Sequence, residues 1–157
     1  MAESLQSVGW RWLANLAPAY RATGARVVYI ADDFKEVQIR LALSWRTRNH
    51  LNMIWGGALF GALDPVFGVM LHKLLGPGYY VVDKEASIHF KRPGLTTVHA
   101  RFAIDDAELQ AIKGVLQTQD KTDRIYRVEL TDTAGQVCVV CDKTVHIRRS
   151  SPRRSPP

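Results

Sequence analysis

The chain of 157 residues is 46% hydrophobic and 23% charged, a balance that suits one folded domain and excludes a fibrous or disordered chain. Its net charge of +6 sits largely at one end. Residues 148–157, RRSSPRRSPP, hold four arginines and no acid, and the rest carries 17 basic against 15 acidic residues. No run of about 20 apolar residues, as a membrane span requires, stands out, and the N-terminus lacks the basic-then-apolar order of a signal peptide.

Leu5, Val8, Trp12 and Leu16 recur every three or four residues, which predicts a helix over about 4–17. Ser4 is its N-cap, Pro18 its stop, and the apolar stripe is read as core contact. Strands follow at 26–31 and 37–43, joined by an Asp32-Asp33 turn; Val37, Ile39, Leu41 and Leu43 alternate with polar residues. A polar loop then leads into an apolar segment at about 57–75, where Leu59, Phe60, Leu63, Val66, Phe67, Met70, Leu71 and Leu74 surround the helical circumference. A helix apolar all round is a buried one. Pro65 inside it removes a hydrogen bond and predicts a kink at Asp64.

Beyond Gly76-Pro77-Gly78 the pattern is mostly strand. One is predicted at 80–90, with Ala86, Ile88 and Phe90 on one face and Glu85, Ser87 and His89 on the other, and another at 98–104. Asp105 to Glu108 reads as a capping box opening a short helix with Leu109, Ile112 and Leu116 on one stripe. Strands at 125–131 and 137–147 close the domain through a hairpin at 132–135. Cys138 and Cys141, three apart on a strand, point to opposite faces and are read as reduced core cysteines. The histidines show no metal-ligand spacing, and no metal is expected. Residues 1–147 form the expected domain, and 148–157 a disordered basic tail.

The order is helix, two strands, buried helix, two strands, short helix, two strands. It predicts an α+β fold: an antiparallel sheet of about six strands enclosing one long central helix. Asn49, Gly56-Gly57 and Asp64 sharpen this. Their spacing resembles the Asn…His-Gly-Gly…Asp arrangement of hotdog-fold thioesterases of the phenylacetyl-CoA thioesterase type, and the chain looks most like an uncharacterised branch of that superfamily. Trp55 stands where the better-known enzymes have the histidine.

The chemistry can also be argued from the residues. Orphan N–H groups at a helix start attract developing negative charge, and glycines let a carbonyl approach Gly56 and Gly57 as an oxyanion site. Asp64 lies in an apolar helix; burial there disfavours its charged form and suits a general base, unless a donor opposes it. Seven residues separate it from Gly57, about 10 Å along a helix, so one thioester needs the two from different subunits. A dimer with antiparallel central helices follows, as the resemblance also implies.

Asn49 orients water or holds the thioester carbonyl, or else closes a turn. His50 is a supporting residue, and Asp83 and Glu85, on one strand face, are reserve carboxylates. Arg46, Arg48, Lys91 and Arg92 are candidate contacts for coenzyme A phosphates. Ile54, Trp55, Leu59 and Phe60 line an acyl pocket or simply belong to the core. The expectation is a cytoplasmic acyl-CoA thioesterase, a homodimer or dimer of dimers without cofactor. A non-catalytic acyl-CoA binder or sensor is the alternative, and nucleic acid is an unlikely partner.

Overall fold

The computed structural model describes residues 3–150. Helix α1 spans Leu5–Leu16 and α2 Pro18–Ala22. Strands β1 (Ala25–Ile30) and β2 (Glu36–Leu41) lead to α3 (Gly56–Leu63) and α4 (Val66–Leu75). Then come β3 (Tyr79–Phe90), β4 (Val98–Ala103), α5 (Asp106–Thr118), β5 (Lys121–Asp132) and β6 (Val137–Arg149). The six strands form one sheet in the order β1-β2-β4-β5-β6-β3, and every neighbouring pair is antiparallel. This is the antiparallel six-stranded sheet around a central helix expected from the pattern, the arrangement that the resemblance names a hotdog fold. Arg148 and Arg149 extend β6 rather than begin a tail, and residues 151–157, with the remaining tail arginines, lie outside the described residues.

The central segment packs on the inner face of the sheet. Leu59, Leu63, Phe67, Met70 and Leu71 meet Ile39, Leu41, Phe102, Leu130, Val139 and Ile147 in one buried cluster. Phe67 stacks on Tyr126 with ring centroids 4.7 Å apart and meets Phe102 edge-on at 5.0 Å. Each such large side chain contributes about 1.5–3 kcal/mol by leaving water. The run Gly56–Leu75 has a mean hydropathy of 1.4 over its best window, so by length and composition it is apolar enough to cross a membrane, against the first reading of the sequence. Half of that window is buried within the fold, where a central core helix needs the same apolar surface.

The predicted kink is present. Helix α3 ends at Leu63, Asp64 and Pro65 hold the break, and α4 restarts with Val69 N–H donating to the Pro65 carbonyl. Three other expectations need correction. Pro18 does not merely stop the first helix; it occupies the first turn of α2, where its missing N–H costs nothing. The stripe of α1 faces outward: Leu5 is 93% exposed and Trp12 60%, with Leu13 and Leu16 also exposed. The inward face carries buried Ser7 and half-buried Trp10 and Ala14, because polar side chains fix the helix's rotation. Asn15 exchanges two hydrogen bonds with the Val27 backbone (2.8 and 2.9 Å), Glu3 accepts from Ile30 N–H, and Ser7 Oγ donates to the Ala31 carbonyl.

The third correction concerns β3. Its pairing with β6 shifts register between Asp83 and Glu85, a bulge at Lys84 that separates the two carboxylates. Asp83 stays on the inner face opposite Val145, while Glu85 stands opposite Thr144 on the other. At mid-sheet, β4 and β5 pair only through Val98–Asp132 and His99–Thr131 and then splay apart.

Candidate active site

The loop before α3 is pinned at both ends. Buried Thr47 donates through its hydroxyl to the Ala42 carbonyl, Ile54 N–H donates to the Gly94 carbonyl, and Trp55 N–H to that of Thr47. Asn49 closes a tight turn within it: Oδ1 accepts from Leu51 N–H (2.9 Å) and Met53 N–H (3.3 Å). The turn-closing role is therefore the one the structure gives its carboxamide oxygen. Asn52, with φ near 58°, takes the left-handed position that asparagine tolerates.

A cleft of about 350 Å³ opens beside the start of α3. Asn49, Ile54, Gly56, Lys91 and Arg92 come together there, joined by Met53, Leu59, Phe90, Pro93 and Gly94. Trp55, the N-cap, leaves α3 without a side-chain cap. Its carbonyl accepts from Ala58 and Leu59, and the N–H groups of Gly56 and Gly57 have no acceptor among the described residues. Those two amides are the orphan donors that an oxyanion site needs.

Aromatic rings crowd both glycines. A Cβ on Gly57 would overlap the outer edge of the Trp55 indole, and one on Gly56 would lie 3.1 Å from Phe90 Cζ. Trp55 is half exposed and folds back over Gly57 instead of entering the core. His50 and Arg48 sit exposed on the loop and do not line the cleft; Arg48 donates weakly to Asn52 Oδ1 at 3.4 Å. Arg46 lies over the Trp45 ring at 5.9 Å.

Asp64 lies apart from the cleft, seven residues beyond Gly57. Its side chain is 48% exposed, so the premise of a desolvated carboxylate does not hold. Lys143 on β6 is its partner. The Lys143 side chain is fully buried, and its ammonium donates to Asp64 Oδ1 and to the Asp64 carbonyl, both at 2.7 Å. Asp83 Oδ2 lies 3.0 Å from the same nitrogen, and the Phe60 ring centroid 5.7 Å. Asp83 Oδ1 is buried without a partner among the described residues. One cation therefore ties the kink to two strands, accepting the cost of a buried charge through near-complete hydrogen bonding.

Sequence reasoning missed Lys143, although a signal existed. Val139, Cys141, Val145 and Ile147 are the buried alternate positions of β6, and Lys143 occupies the same phase as its one charge. Burial pushes the Cys138 and Cys141 thiols up, so both are free but poorly reactive. Among the described residues no three His, Cys, Asp or Glu side chains gather as metal ligands.

Residues 7–147 match the family model described as a domain of unknown function, DUF4442. No curated protein matches. Among solved structures, the chain is similar to PA5026 of Pseudomonas aeruginosa, described as a protein of unknown function and probable thioesterase. The two are 20% identical with a TM-score of 0.79 over 89% of this chain and 93% of that one. It is similar also to the thioesterase HI1161 of Haemophilus influenzae, at 13% identity and a TM-score of 0.71 over 99% and 97%. A third is the Escherichia coli PaaI protein from the phenylacetic acid degradation operon, at 16% identity and 0.63 over 93% and 92%. At such identities the likeness establishes the shared fold. With the family model spanning nearly all of the described residues, the chain belongs to the DUF4442 family, on a hotdog scaffold.

Proposed function

We propose that the protein is an acyl-CoA thioesterase whose site is completed across a homodimer. The observation that carries this reading is the division of the chemistry. The unpaired Gly56 amide borders the cleft, with the unpaired Gly57 amide next to it under the Trp55 indole, while the half-exposed carboxylate of Asp64 waits about two helical turns away. A two-fold pairing of copies along β3, with central helices antiparallel, would bring the carboxylate of one copy toward the amides of the other.

In that arrangement the thioester carbonyl lies at the Gly57 N–H, with Lys91 and Arg92 beside the cleft for coenzyme A phosphates. Asp64 takes a proton from water as the water oxygen attacks the carbonyl carbon. The oxyanion forms against the amides, and its collapse breaks the C–S bond and expels the thiolate, which takes up the proton. Direct attack by the carboxylate, giving an anhydride that water then opens, uses the same groups. Lys143 occupies Asp64 Oδ1, and Oδ2, which has no partner among the described residues, is the oxygen left for water. Two free, buried cysteines suit a reducing compartment, the cytoplasm.

The alternative, binding without turnover, draws on Trp55, whose indole covers one side of Gly57. Thiol release from short, long and aromatic acyl-CoAs, compared between wild type and Asp64→Asn, separates the two. Turnover that falls at least a hundredfold in the variant, about 3 kcal/mol of transition-state stabilisation, supports the thioesterase. Saturable binding with no turnover supports the binder, and turnover indifferent to the substitution removes Asp64 from the mechanism.

A further inference from the structure

Helix α1 has apolar residues on both sides, and the fold uses only one of them. Trp10 and Ala14 face the body and line an apolar cavity of about 190 Å³ with Phe34, Val66 and Met70. Leu5, Trp12, Leu13 and Leu16 are all exposed. At 100° per residue these four fall within an arc of about 100°, a continuous stripe. A helix apolar on two opposite faces needs an apolar phase against each.

Charge lies beside the stripe. A surface hollow of about 460 Å³ is lined by Trp12, Leu16 and Val28 together with Arg11, Arg21 and Arg26. Arg11 is paired with Glu3, whereas Arg21 and Arg26 have no ion pair among the described residues. No acidic residue lines the hollow. Exposed tryptophan and leucine next to unpaired guanidinium groups match the chemistry of an anionic lipid surface, where acyl chains and phosphate lie within a few ångströms. A second copy of the chain fits less well. A two-fold contact through this patch would set its arginines against their own counterparts.

We propose that the outward face of α1, with Arg21 and Arg26, docks the protein on anionic membrane surfaces, lying in the interface rather than spanning it. This inference is independent of the thioesterase reading. The full chain is tested by co-sedimentation, at about 0.15 M salt, with phosphatidylcholine vesicles containing about 30% phosphatidylglycerol and with phosphatidylcholine alone. The expected result is binding to the anionic vesicles only, with tryptophan emission moving to shorter wavelength. Trp12→Ser with Leu16→Ser should weaken it at least about tenfold, and Arg21→Gln with Arg26→Gln should weaken it and flatten its salt dependence. Both apolar positions are exposed, so an unchanged thermal melt verifies that the doubly substituted chain is folded.

Three results would overturn the proposal. The wild type could ignore anionic vesicles. Binding could survive Trp12→Ser with Leu16→Ser, which would make it charge attraction without insertion of the α1 face. Or that pair of substitutions could dissociate a larger assembly in solution, which would show a second copy on the face.

Discussion

The sheet ends in two edge strands that are finished in different ways. Along β1, α1 supplies what a neighbouring strand would: Asn15 satisfies both backbone groups of Val27, and Glu3 accepts from Ile30 N–H. Along β3, twelve residues long, no such cover is present among the described residues, and Tyr80, Val82 and Phe90 stand exposed. An open edge invites another strand, and proteins normally block it. Here one edge is blocked and the other is not. The open one also lies beside the kink that carries Asp64, and it is the edge along which the dimer proposed above pairs.

The strongest way to break the open side is through Lys143. Replacing it with methionine keeps the volume but leaves Asp64 and Asp83 facing each other without a cation. We expect a loss of about 3 kcal/mol in denaturant unfolding. Asp83→Asn added to Lys143→Met should recover part of it, since the like-charge repulsion disappears. A Lys143→Met protein as stable as wild type would mean that the cation does not hold the kink. A charge at the exposed Val82, on the face of β3 away from Lys143, tests the pairing itself. Val82→Lys puts a charged side chain into a two-fold β3 contact, and sedimentation should show the dimer weakened at least about tenfold. A dimer that tolerates it pairs elsewhere.

The closed side predicts a smaller effect. Asn15→Ala removes two hydrogen bonds from Val27 at an edge that water can partly reach, and should cost about 1–2 kcal/mol. If it also raises the mass in solution, the edge has become available for pairing, and the contrast between the two edges rests on one asparagine.

Periodicity made the strands, the central helix and its kink legible, because apolar alternation and an interior proline act within a few residues. The rotation of α1 was not legible from its stripe. Ser7, Asn15 and Glu3 turn the helix so as to satisfy β1, and those partners lie 12 to 27 residues along the chain. The bulge at Lys84 hid in the same way. Alternation through 80–90 looked unbroken, yet pairing with β6 shifts Asp83 and Glu85 to opposite faces. Of the candidate site, the spacing of Asn49, the glycine pair and Asp64 was plain, whereas Lys143 announced itself only as a charge in the buried phase of β6.

Between the two edges, where β4 and β5 splay apart, another ion pair offers a control that neither edge should influence. Glu108 in the first turn of α5 accepts from Tyr126 Oη at 2.8 Å and binds Arg124 through both carboxylate oxygens. The Arg124 hydrogen bonds hold its carboxyl below the ordinary glutamate value of 4.5, against a smaller opposing push from burial. A carboxylate whose pKa is lowered by folding stabilises the fold above its unfolded value, and that contribution is lost as pH falls through the folded one. Wild type should therefore lose about 1 kcal/mol from this pair as the solution is acidified below about pH 4.5. Glu108→Gln should lack that increment at neutral pH and show a correspondingly flatter acid limb. The same limb measured in Asn15→Ala should keep the wild-type slope, since its missing hydrogen bonds carry no titrating partner. A slope altered there would mean that the covered edge and the middle of the sheet do not respond independently.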